Sequence, residues 1–115
     1  MIPDGNNVYG HIVSSQGLQS ALRAVKRLIG EDRAYIYKSQ FNGAETLHFG
    51  TDSIQFDSTP LEEAGRHLLN GGVGGSLEDV VEFVEAMSRL FTEEGIEHRF
   101  EVYDADDNLV EMIPP

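Results

Sequence analysis

Apolar and polar residues alternate over Val8-Tyr9-Gly10-His11-Ile12-Val13, a period of two that predicts a strand. The period then changes. Leu18, Ala21, Leu22, Val25, Leu28 and Ile29 recur at helical spacing, with Arg23, Lys26 and Arg27 on the opposite side. Ser14 and Ser15 stand ahead of this run as N-caps, and Gly30 follows as its stop. A strand is expected from Ala34 to Phe41, a tight primed hairpin turn at Asn42-Gly43, and a return strand from Glu45 to Phe49. After a turn at residues 50–53, Ser53 to Asp57 reads as a third strand, and such short connections make an antiparallel meander.

Thr59-Pro60-Leu61-Glu62 carries the signs of a helix start. Thr59 is a cap, Pro60 suits the first helical position and Glu62 completes a capping box. That short helix is expected to end near Asn70-Gly71, leaving Gly71–Gly75 as a flexible joint between two helices. Ser76 caps a longer helix, with Leu77, Val80, Val81, Phe83, Val84, Met87, Leu90 and Phe91 on one broad face and Glu78, Glu82, Glu85 and Arg89 on the other. Gly95 ends it. Ile96 to Asp104 and Asn108 to Ile113 form a final hairpin around Asp104-Ala105-Asp106-Asp107. Residues 15–49 and 76–113 echo each other as two αββ units. The expected class is α+β: one domain over residues 1–115, with a single-layer antiparallel sheet of about five to six strands and helices mainly on one face.

Composition narrows the functions. The 115 residues include no Cys, which removes disulfides and thiolate chemistry. The stretch MIPDGNNVYG has neither a basic nor an apolar leader segment, and no apolar run is long enough to span a bilayer, so a cytoplasmic setting is expected. The net charge is −12, and it is lopsided. Residues 1–60 hold six acids against five Lys or Arg, whereas residues 61–115 hold fourteen acids against three Arg. Such a field disfavours nucleic acid and anionic lipid and favours basic partners. Solubility alone is the plain alternative.

Specific chemistry is sparse. Asn70-Gly71-Gly72-Val73-Gly74-Gly75-Ser76 looks like a phosphate loop but lacks the Lys of that motif, and Glu78 and Asp79 would repel a phosphate. Asp104, Asp106 and Asn108 match the first ligands of a calcium loop, but Leu109 holds the position that needs Gly, so a hairpin turn is expected. His11, His48 and His98 lie in expected strands. If they shared a sheet face they could bind metal or act in acid–base chemistry with Asp57 or Glu101, while Tyr9, Tyr35, Tyr37 and Tyr103 could line a groove. Unrelated surface histidines are the simpler account. Ser14, Ser15 and Ser76 read as caps rather than nucleophiles, and no residue is assigned a catalytic role, a metal or a cofactor.

The leading functional expectation is a non-catalytic acidic module that docks a basic protein surface, as an inhibitor or an immunity-like neutralising partner does. Glu78, Glu82 and Glu85 on the long helix and Asp104, Asp106 and Asp107 in the last turn are the expected contacts. Small acidic blockers of toxins and nucleases share this size and charge, a likeness of composition only. The alternatives are a small enzyme or ligand-binding domain using the strand histidines and tyrosines, and a homo-oligomer built on sheet edges or the apolar end LVEMIPP.

Overall fold

Seven strands and two helices make up the computed structural model of the protein, which describes residues 5–115. In chain order these are β1 (Val8–Val13), α1 (Gln19–Ile29), a 3-10 turn at Glu31–Arg33, β2 (Ala34–Lys38), β3 (Glu45–Thr51), β4 (Ile54–Pro60), β5 (Arg66–Val73), α2 (Leu77–Glu93), β6 (Glu97–Tyr103) and β7 (Leu109–Ile113). The strands form one antiparallel sheet in the order β2-β3-β4-β5-β1-β6-β7. β1 lies between β5 and β6 and is antiparallel to both, so β5-α2-β6 is a parallel crossover with a strand inserted. The fold is α+β, as expected from the sequence. The leader-peptide reading rests partly on residues 1–4, which lie outside the described residues.

Both helices pack on one face of the sheet and touch each other. That covered face holds the core: Val8, Ile12, Leu47, Phe49, Phe56, Leu69, Phe100 and Val102 meet Ala21 and Val25 of α1 and Val84, Met87 and Phe91 of α2. The rings stack across it, Phe49 on Phe56 at 5.0 Å and Phe91 near Phe100 at 5.9 Å. Two glycines make room for them. A Cβ on Gly71 would strike the ring of its cross-strand partner Phe56, and one on Gly10 would strike the ring of Phe100. Gly71 is therefore a notch in a strand, not a joint.

The expected helix over residues 59–70 is corrected. β4 runs on through Pro60, a loop with Gly65 at φ +83° reverses the chain, and β5 follows. The cap signature at Thr59–Glu62 is present in the sequence, but the run His67-Leu68-Leu69 is too short for its period to decide. Pairing on both sides, with β4 and β1, decides instead, and it raises the strand count to seven. The glycine-rich stretch thus divides into the end of β5 and a short link, Gly74 to Ser76, into α2.

Local expectations fare unevenly. Ser76 caps α2 in a full capping box with Asp79. Ser14 and Ser15 do not cap α1, whose N-cap is Leu18 without a side-chain bond. The Ser14 hydroxyl donates to the Gly17 carbonyl, closing a turn that lets Leu18 enter the core before the helix begins. β2 stops at Lys38, and a six-residue loop, residues 39–44, replaces the two-residue turn at Asn42-Gly43. The two αββ units exist as elements, with their hairpins at opposite edges. They are not equivalent: β2 is an edge strand, whereas β6 is the inner strand of its pair.

Candidate functional site

The sheet face away from the helices is uncovered, and alternation along the strands sends a distinct set of residues there. All four tyrosines are among them: Tyr9, Tyr35, Tyr37 and Tyr103. The register aligns one side chain from each strand into a row across the whole face. It reads Tyr35, His48, Asp57, Asn70, Tyr9, Glu101, Met112. Next to it, Thr59, Leu68, His11 and Arg99 form a second row.

The row holds two side-chain clusters. On β1, β5 and β6, a groove of about 560 Å³ is bordered by Tyr9, His11, Leu68, Asn70, Arg99 and Glu101. Tyr9 meets Tyr103 edge to face at 5.4 Å, and the Tyr103 hydroxyl donates to Glu101 Oε1 at 3.1 Å, which raises the phenol's pKa above its ordinary value. On β2, β3 and β4, the Tyr35 ring stacks on His48 at 5.1 Å. His48 Nδ1 lies 2.6 Å from Asp57 Oδ1, and Nε2 lies 2.8 Å from Thr46 Oγ1. The pairing of His48 with Asp57 follows from their being direct cross-strand partners.

The three strand histidines do not converge. His11 and His48 share the open face but sit three strand spacings apart, about 14 Å. His98 is on the covered face, where Nδ1 donates to the Ile96 carbonyl at 2.8 Å and Nε2 lies 2.6 Å from Ser88 Oγ, so it is a satisfied structural residue. Among the described residues, no cluster of three His, Cys, Asp or Glu is placed to hold a metal ion. His67, expected in a helix, is instead buried on the covered side of β5 with an unpartnered Nδ1. Burial lowers its pKa, and the Glu45 carboxylate opposes that shift.

The acidic residues fall elsewhere. Glu78, Glu82 and Glu85 are exposed on the side of α2 that faces away from the sheet. Asp104, Asp106 and Asp107 form the β6–β7 turn, where Asp104 Oδ1 accepts from the N–H groups of Asp106 and Asn108, both at 2.9 Å. Hydrogen bonding, first from Asn108, holds the Asp104 carboxyl below its usual range. The turn and the start of α2 border one groove, which Leu77, Val80, Asp104 and Asp107 help to line. Among the described residues none of these six acids is in an ion pair, whereas Glu93 and Glu94 at the far end of α2 are each 3.2 Å from Arg27 and Arg23 of α1. Glu85 and Arg89, four residues apart on the outer side of α2, are not in an ion pair with each other. No described helix is long and apolar enough to cross a membrane.

Sequence reasoning singled out His48 and Asp57 but missed Thr46, whose two-residue step from His48 on one strand was the available signal. Compared with protein families, with curated proteins and with solved structures, the chain matches none of them.

Proposed function

We propose that this chain is a protein-binding module that docks a basic protein through its open sheet face, in the manner of an inhibitor or neutralising partner. The observation that carries this reading is the gathering of all four tyrosines, with Leu68 and Arg99, on the one sheet face the helices leave bare. Tyrosine and arginine are the side chains that anchor interfaces, because they bring large area and a polar tip at low entropic cost. The face itself is close to neutral. Asp57, Glu97 and Glu101 stand against Arg66 and Arg99, so it escapes the self-repulsion of a chain with net charge −12 while the whole field still draws cations.

A second reading keeps the docking surface on the acidic side, at Glu78, Glu82, Glu85, Asp104, Asp106 and Asp107. Their lack of ion pairs favours it, since carboxylates free of internal cations are available to a partner's. Glu78, Glu82 and Glu85 lie on the helix side of the sheet, whereas the Asp104–Asp107 turn borders the open face at Tyr103. A tagged pull-down from source-cell lysate with two variants separates the two readings. The open-face reading expects a basic partner lost with Tyr9→Ala plus Leu68→Asp and retained when Glu78, Glu82 and Glu85 become Gln. The reverse pattern assigns the partner to the acidic side, and no partner with the unaltered protein at low salt counts against docking altogether.

A further inference from the structure

Three side chains at the β3–β4 end of the open face form a hydrogen-bonded chain that docking does not require. Thr46 Oγ1 is 2.8 Å from His48 Nε2, and His48 Nδ1 is 2.6 Å from Asp57 Oδ1. The protons follow from the partners. An ionised carboxylate only accepts, so Nδ1 carries hydrogen, and a neutral ring then presents a lone pair at Nε2. The Thr46 hydroxyl must therefore donate to Nε2. Hydroxyl to imidazole to carboxylate is the order that readies an alcohol for attack, with the acid fixing the ring's tautomer and stabilising the imidazolium that forms.

The surroundings hold this arrangement and leave it reachable. Tyr35 stacks on the ring of His48, and Gln55 Nε2 reaches Asp57 Oδ1 at 3.4 Å. The β3–β4 ladder ends at the His48–Asp57 pair. One residue further on, the Leu47 N–H donates to Ser58 Oγ at 2.7 Å instead of to a backbone carbonyl, so the strands part beside Thr46. The His48 side chain is 25% exposed and Thr46 is half-buried, both on the face without helices.

We propose that Thr46 is an activated nucleophile that takes an acyl group from an activated ester, with His48 as general base and Asp57 as a positioning residue. In the step, Thr46 Oγ1 bonds to the ester carbonyl carbon as its proton passes to His48 Nε2. The ester C–O bond then breaks, and the leaving oxygen takes that proton from the ring. The products are O-acyl-Thr46 and an alcohol or phenol, with no oxidant or reductant involved. This proposal does not rest on docking, although His48, Asp57 and Tyr35 belong to the open face proposed to dock.

The test uses the full chain and p-nitrophenyl acetate, with acetylation followed residue by residue by mass spectrometry. Thr59 is the internal control: it is exposed on the same face, on β4, and no imidazole bonds to it. A positioned base contributes about 10²–10⁴-fold, so Thr46 is expected to be acetylated at least ~10²-fold faster than Thr59. His48→Gln is expected to bring Thr46 down to the Thr59 rate, and Thr46→Ser to keep the reaction. Asp57→Asn is expected to slow acetylation of Thr46 and leave the Thr59 rate unchanged, because the ring loses the carboxylate that fixes its tautomer. Equal rates at Thr46 and Thr59 in the unaltered protein overturn the proposal whatever the variants do. A Thr46 rate unchanged by His48→Gln in a chain that keeps its native circular dichroism overturns it as well.

Discussion

The two faces of the sheet divide the aromatic residues between them. Five of the six phenylalanines pack on the covered side or in the helix over it, and only Phe41, in a loop, stands in water. All four tyrosines stand on the open side. One hydroxyl per ring makes the difference, since a buried phenol needs a partner and an exposed one has water or a ligand. The outer surfaces differ in charge as well. The open face balances its few charges, while the solvent side of α2 carries Glu78, Glu82 and Glu85, none of them in an ion pair among the described residues. A single layer of strands can thus present an interface-like surface on one side while a helix bearing the solubilising charge covers the other.

The largest effect should separate the faces directly. Phe56 is fully buried and stacked on Phe49, so Phe56→Ala is expected to cost about 3–5 kcal/mol in urea unfolding. Tyr37 is 56% exposed, and Tyr37→Ala is expected to stay within about 0.5 kcal/mol. Should Tyr37→Ala cost as much as Phe56→Ala, the open face is covered in solution and the contrast between the faces is wrong.

Gly71→Ala comes next, at about 1–3 kcal/mol, because its methyl group would meet both the Phe56 ring and the Gln55 carbonyl of the paired strand. In a chain already carrying Phe56→Ala the clash with the ring is gone while the one with the Gln55 carbonyl stays, so the two substitutions together should cost less than the sum of their separate costs. Near-additive costs would mean that the notch does not serve the ring.

The same glycine shows what the sequence concealed. Wherever a long apolar stripe kept one period, as in α1 and α2, the element was legible from spacing alone, and Ser76 and Gly30 marked the right ends. β5 was not legible. Its helix-like start signal and its glycines are local features, whereas its identity comes from pairing on both edges, with β4 just before it and with β1, which is far from it in the chain. The candidate site suffers the same limit. His48 and Asp57 were recognisable as residue types, but their pairing is a matter of register, and the row that joins them to Asn70 and Tyr9 requires the complete strand order. For His98 the alternation itself is informative: it is in phase with Ile96, Phe100 and Val102, and that phase puts it on the covered face, away from His11 and His48.

A buried ionisable group sharpens the contrast in another way. His67 sits on the covered face with its pKa lowered by burial, against the pull of Glu45. The folded chain then binds fewer protons at this site than the unfolded chain. Its contribution is least unfavourable above the unfolded value of about 6.5, and stability is lost as pH falls below that value until the lowered folded pKa is passed. Urea midpoints are expected to fall across this window, and more steeply in the unaltered protein than in His67→Leu. Identical pH profiles would show that the imidazole is solvated, and that this part of the face is not closed.

The smallest effects lie on the acidic stripe, where the sign changes along one helix. Glu82 follows Glu78 by four residues and precedes Glu85 by three, so like charges face each other at both steps. Neutralising Glu82 to Gln should therefore stabilise the fold by a few tenths of a kcal/mol at low salt, whereas Glu85→Gln should change little, since Glu85 also stands four residues before Arg89. Glu78 repels Glu82 as well, but it occupies the first turn of α2, where a carboxylate complements the helix dipole by about 0.3–1 kcal/mol. Glu78→Gln should accordingly be neutral or destabilising. Both differences should shrink in high salt, because these side chains are exposed and screened. If Glu82→Gln instead destabilises, and does so at both salt concentrations, Glu82 has a cation or a hydrogen bond within the fold. The stripe would then be occupied from inside, and the charge contrast between the two sides of the molecule would lose its basis.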